Sequence, residues 1–300
     1  MSGNVLNQDT INIEPFDTDE SLYQRKGTCL NKKILIWIFP LLIAVIFIAF
    51  IFWNFVPTRK GEEQKPEAEA SDNFIIIDEV YWYENEGKKD KKQFFQITQE
   101  GIYKVCVFGA KAMEGGRGGK QCATHFFKKG DFIDFYLEGR SSGGQGGKNC
   151  GWNHGNGYDG AGLAKAEKRN HSEEFLIVAG GGGGNSEDNI NKGGDYEKDG
   201  EGTFKGGGAT SLTYGKKGGE DSEDGKIDKG GKGGSSGTTG SLCGGGGGNG
   251  YYGGGGGGCA YYKERVGGGG GGSNFCNGEN CEKGINDIKV YAGYKITNLM

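Results

Sequence analysis

The placement of glycine limits this chain more than any other feature. Of its 64 glycines, all but Gly3, Gly27, Gly61 and Gly87 fall from residue 101 onward, and unbroken tracts occupy 180–184, 244–248, 253–258 and 267–272. Such tracts have no side chains with which to bury an apolar face, and each ordered glycine forfeits about 0.5–1 kcal/mol more backbone entropy than alanine. Collagen would need glycine at every third place and abundant proline. Only four prolines occur, none after Pro66, so collagen is excluded. Two arrangements remain open. The first is flexible linker. The second is packed polyglycine helices of the polyproline-II type, with three residues per turn, so that a six-glycine tract makes about two turns over roughly 19 Å. Cys243, Cys259 and Cys276 punctuate the tracts, and the pairs Tyr251-Tyr252 and Tyr261-Tyr262 sit between them, which linkers rarely show.

Charge narrows the function classes. The formal net charge of −4 comes from interspersed Lys, Asp and Glu, and Arg117 supplies the lone arginine set between glycine pairs. The positive field that drives nucleic-acid binding is missing, so no nucleic-acid partner is expected.

From Ile34 to Trp53 the chain carries neither a charge nor a strongly polar group, and Trp37 and Trp53 stand near the ends of that run. About 20 such residues cross a bilayer core, and tryptophans favour its interfaces. A cleaved signal peptide would be shorter and begin near the N-terminus. The spacing therefore predicts one transmembrane helix over 34–56 acting as a signal-anchor. Arg25, Lys26, Lys32 and Lys33 precede it, against Arg59, Lys60 and Lys65 after it. That excess, with seven of the eight cysteines beyond the run, favours a cytoplasmic tail at 1–33 and an oxidising exterior for the rest. The expected organisation is a type II single-pass plasma-membrane protein with a polar stalk at 57–72 and a glycine-rich extracellular domain at 73–300.

Strand signals fill that domain. They include 74–77 with 80–83, 94–97 joined by a Glu100-Gly101 turn to 102–108 as a hairpin, 132–137, the apolar run 175–179, 288–291 and 294–296. Helical periodicity is absent beyond the membrane run, and an all-β sandwich is expected.

The segments 92–110, 128–147, 174–184, 248–262 and 292–296, in this order and spacing, resemble the glycine-rich extracellular domain of the anaplastic lymphoma kinase and leukocyte tyrosine kinase receptors. The resemblance covers roughly 92–297. It implies a β-sandwich of tumour-necrosis-factor-like shape with packed polyglycine-II helices beside it, and a module that in those receptors serves cytokine binding and dimerisation. The kinase half of the resemblance is missing. No glycine-loop lysine, His-Arg-Asp loop or Asp-Phe-Gly site occurs, and Asp131-Phe132-Ile133 breaks the last of these inside a strand.

Candidate sites follow from residue type. Seven cysteines beyond the membrane run leave at least one unpaired or bridging two chains. Cys276 with Cys281 encloses a turn-forming loop; Cys243 with Cys259 and Cys122 with Cys150 are further candidate pairs; Cys106 reads as a small buried side chain. No Cys-x-x-Cys or close histidine pair points to zinc, and the acidic 220–228 stretch lacks calcium-loop spacing, so no metal or cofactor is expected. Asn170 begins a glycosylation sequon, and Cys29 lies where palmitoylation occurs. Tyr251, Tyr252, Tyr261 and Tyr262 are candidates for a binding surface. With no catalytic constellation, the expected function is a receptor-like or adhesive module for a protein or glycan partner. The alternative is a coat protein that self-associates as a homo-oligomer.

Overall fold

The computed structural model describes residues 80–299 apart from 88, 151–154, 170–174, 237–240 and 262–264. The membrane run 34–56, the stalk, segment 74–77, Cys29, Asn170 and Tyr262 lie outside the described residues. Among the described residues no helix is long and apolar enough to cross a membrane.

The described chain is all-β. Its strands are β1 (Tyr81–Tyr83), β2 (Asp90–Gln96), β3 (Gly101–Phe108), β4 (Gly119–Phe127), β5 (Phe132–Glu138), β6 (Ala164–Lys168), β7 (Phe175–Ala179), β8 (Phe275–Cys276), β9 (Glu279–Ile285) and β10 (Ala292–Asn298). They form two five-stranded antiparallel sheets, ordered β1-β10-β3-β4-β9 and β2-β5-β6-β7-β8. Alternation sets the buried face. In β3, Tyr103, Val105 and Val107 point to a core that also takes Phe127, Ile133, Phe135, Leu137, Ile177 and Tyr294 from both sheets. Phe135 stacks on Tyr294 with ring centroids 3.9 Å apart. On the opposite face of β3, Cys106 and Phe108 join Cys122 in a smaller cluster beneath Trp82.

The expected hairpin between 94–97 and 102–108 does not form. β2 pairs with β5, while β3 pairs with β4 and β10, so the intervening turn crosses from one sheet to the other. Ile97 explains the crossing. It is buried, its N–H donates to Asp131 O, and its carbonyl accepts from Gly130 N. Two sheet-crossing turns are thereby tied together at one tip of the sheets. The final strand also shifts: 288–291 forms no strand, and β10 begins at Ala292.

At the opposite tip, β3, β5 and β7 run directly into Gly109, Gly139 and Gly180. The tracts that follow are buried and ordered by their own backbone. In 244–249, Gly244 and Gly247 donate to Gly234 and Gly231, Gly245 and Gly248 to Gly267 and Gly270, and Gly246 and Asn249 to Tyr158 and Ala161. The same six carbonyls accept, in three pairs, from 144–147, 254–257 and 181–184. Every third residue therefore faces the same neighbour, and each tract is bonded to six others. Tracts 253–258 and 267–272 repeat the pattern. Backbone groups that no side chain could shield are all paired, which is what permits their burial.

This contact explains the composition. A Cβ on Gly247 would lie 2.0 Å from Gly254 O, and one on Gly244 2.0 Å from Gly257 O. Among the described glycines only Gly115, Gly130 and Gly202 have φ in the left-handed range. In the tracts glycine is thus demanded by space rather than by backbone angle.

Candidate functional site

Three disulfides are present: Cys106–Cys122, Cys150–Cys243 and Cys276–Cys281. The candidate pairs Cys122 with Cys150 and Cys243 with Cys259 do not form. Cys106 and Cys122 are direct cross-strand partners in β3 and β4, so Cys122 is already engaged and Cys106 is no inert filler. Cys243 turns to Cys150, joining the chain after β5 to the head of tract 244–248. Glu187 clamps this junction: its carboxylate accepts from Cys243 N, and its N–H donates to Cys243 O. Cys150, Cys243 and Glu187 present a sulfur, a sulfur and a carboxylate oxygen within 4.8 Å of one another, but both sulfurs are spent on the bridge. Among the described residues, Cys259 is the unpaired cysteine. Its thiol donates to the Asp221 carboxylate, and burial together with that carboxylate pushes it up to about 12, so it stays a thiol at neutral pH.

The three described tyrosines of this group, Tyr251, Tyr252 and Tyr261, do not gather into one patch. Tyr251 and Tyr252 are half-buried at one end of tract 253–258, and Tyr261, 61% exposed, is at the other. Tyr251 stacks on Phe275 at 4.2 Å and meets Phe175 and Tyr252 edge-on at 6.0 and 4.9 Å.

Phe275 also lines a groove. This opening of about 460 Å³ is bounded by Gln121, Glu197, Ser211, Leu212, Asn274, Phe275, Lys283 and the Cys276–Cys281 bridge. Each wall has its own support. Tyr251 backs Phe275. Asn274 is buried, with its amide oxygen accepting from Gly180 N and its amide nitrogen donating to Lys120 O. Glu197 sits at φ 57°, a region that non-glycine residues enter at a cost of about 1–2 kcal/mol. There its carboxylate meets Lys283 Nζ at 3.1 Å, and this hydrogen bond holds the Lys283 ammonium above its ordinary value. Leu212, on the loop facing these strands, is 83% exposed. An ion pair, amides, a hydroxyl and two apolar groups suit a polar ligand with an apolar face, and supply no nucleophile activated by a base.

A second depression of about 440 Å³ is lined by Lys111, Arg117, Lys192, Asp195, Lys198, Asp199 and Glu201. Arg117 and Asp195 pair within it. Arg117 bridges Asp195 and Asp287 at 2.8 Å each, and the guanidinium helps hold the Asp195 carboxyl below its usual range against the opposing effect of burial.

Asp221, Asp224 and Asp228 of the acidic stretch are engaged locally, Asp221 by the Cys259 thiol, Asp224 by Lys217 N and Asp228 by Lys165. Of the groove residues, Cys276 and Cys281 are marked in the sequence as a candidate pair, and Tyr251, a candidate surface residue, stands behind the wall. Gln121, Glu197, Leu212, Asn274 and Lys283 come from five separate stretches of chain, and no local signal marks them. Neither a protein-family model nor a curated protein sequence matches the chain.

Proposed function

We propose that this chain is a single-pass surface protein, anchored by 34–56 with its glycine-rich part outside the cell, that binds a protein or glycan partner. In this reading the two sheets form a β-sandwich of tumour-necrosis-factor-like shape, and the bonded tracts are polyglycine-II helices packed against its tip. The three-residue hydrogen-bond period supports the second assignment, and the core shared by both sheets supports the first. Three disulfides support an oxidising compartment. No catalytic role is assigned.

The observation that carries the binding reading is the groove at Leu212, Phe275 and Lys283, because its walls are held independently by a disulfide, an ion pair and the glycine body. Pre-organised walls lose little entropy when a ligand docks. The test is a screen of the purified full chain in detergent against glycan and peptide arrays. Saturable binding that falls roughly tenfold in Leu212→Asp and Lys283→Glu is expected. Binding indifferent to both substitutions would remove the groove from the proposal.

The coat reading has its own support in Tyr251, packed among Phe175, Tyr252 and Phe275 rather than displayed. Analytical ultracentrifugation separates the two: association that grows with concentration and is lost on altering the groove would favour the coat.

A further inference from the structure

The tip of the sheets farthest from the glycine body carries an unusual surface. Ile102 of β3 lies opposite Phe126 of β4, and Leu299 N donates to Ile102 O. These three form a row across adjacent strands and are 46–58% exposed. They stand on the outer face, because their strand neighbours Tyr103 and Phe127 point into the core. At the same tip of the other sheet, Phe94 is 64% exposed and pairs with Phe132 at 6.3 Å. The Arg169 guanidinium lies 4.9 and 4.6 Å from those two rings. Between the two faces run the tied turns 97–100 and 128–131, on which Lys128 and Lys129 are exposed.

Direction of the chain gives this tip its meaning. β1 runs antiparallel to β10, with Tyr81 opposite Tyr294 and Tyr83 opposite Ala292, while β10 ends beside Ile102. β1 therefore points away from the apolar tip and is entered from that side. Residues 57–80 join it to the hydrophobic run, and at about 3.3–3.6 Å per residue they give the tip ample reach.

We propose that this tip docks on the bilayer surface, with Ile102, Phe126, Leu299 and Phe94 entering the interface and Lys128 and Lys129 facing lipid phosphates. Isolated exposed apolar residues are ordinary, but a three-strand row beside an aromatic pair and exposed lysines has the composition of an interfacial anchor. Lysines near a surface add attraction to anionic lipid, and their stems lie along apolar surface while the ammonium reaches the headgroups. The glycine body and its groove are thereby held outward. The proposal rests on the membrane anchoring read from 34–56.

Hydrogen exchange on the full chain in vesicles, carrying an inserted protease site within 57–72, tests it. Before cutting, turns 97–101 and 127–131 are expected to exchange roughly threefold or more slowly than after the part beyond the site is cut free and washed from lipid. Vesicles with anionic lipid should widen the difference. The double variant Ile102→Asn with Phe126→Asn should abolish it, while exchange in 244–258 stays unchanged and reports an intact fold. Equal exchange before and after cutting would overturn the docking. So would protection that persists in detergent and grows with protein concentration, which would assign the row to a second copy. An alkaline carbonate wash separates the premises: a chain stripped by carbonate refutes the anchor, whereas tip protection beforehand still supports docking.

Discussion

Glycine in the tracts 244–248 and 253–258 is a steric requirement, and single substitutions expose it. Gly247→Ala would drive a methyl to 2.0 Å from a backbone carbonyl that is itself hydrogen-bonded on other sides. Nothing flexible can yield, so a loss of more than about 3 kcal/mol, or failure to fold, is expected in denaturant titration. Gly284→Ala on β9 meets nothing within 4 Å and should fall within about 0.5 kcal/mol of the parent. Similar costs at both positions would contradict the account of the tracts. Glu138 is the other telling residue. It is half-buried where β5 meets the glycine body, and its carboxylate accepts from Leu163 N and Asn249 Nδ2. Burial raises its pKa from 4.5 to about 7 despite those donors, with Asp90 and Asp228 adding to the rise. A raised folded-state pKa means that the fold holds this proton more tightly than the unfolded chain does. Its contribution is therefore complete below about pH 4.5 and disappears as pH climbs through about 7, a swing on the order of 3 kcal/mol. Glu138→Gln should flatten stability over that interval and be the more stable form at pH 8, as thermal melts across pH would show.

At the level of elements, the bridges differ in what they hold. By the chain-entropy model, the Cys276–Cys281 loop of 5 residues is worth about 2 kcal/mol, against about 3 for Cys106–Cys122 across 16 and 4–5 for Cys150–Cys243 across 93. Replacing Cys150 and Cys243 together by alanine should therefore give the largest fall in midpoint of the three pairs, and replacing Cys276 and Cys281 the smallest. The reverse order would point to strain or residual structure in the unfolded chain. The elements were unequally legible in the sequence. β3, β5 and β7 are β-branched and aromatic, and their inward residues announce them. β6 reads Ala-Lys-Ala-Glu-Lys, a composition that favours helix, yet Ala164 and Ala166 face the core while Lys165 and Glu167 pair outward at 3.1 Å. Tertiary packing overrode local propensity there. β9 is an exposed edge strand without apolar alternation, so periodicity had nothing to report. The bridge Cys106–Cys122 was hidden for a related reason: it follows from the β3–β4 register, which only pairing reveals.

Across the whole molecule, the all-β character followed from the strand signals, whereas composition left the glycine tracts open between linker and packed helices and did not mark the partner of any tract. A glycine has no side chain to specify a neighbour, so the choice falls to the ends: strands that feed the tracts, a cystine at Cys243, and asparagines such as Asn249. Asn249 donates to Glu138 and Ser142 O and accepts from Gly230 N. The groove is a product of that global arrangement, since its lining residues are gathered from 121, 197, 211–212, 274–276 and 281–283. The period of three has a consequence for heredity. Insertions and deletions within a glycine tract change it by whole residues, and a tract bonded on every side can register the difference. One added glycine would continue the same screw and leave the tract's bonds in register, but it would turn the exit from the tract by a third of a revolution, whereas three added glycines would restore the exit's direction and lengthen the tract by about 9 Å. Length variation among descendants of this gene should therefore accumulate in multiples of nine nucleotides.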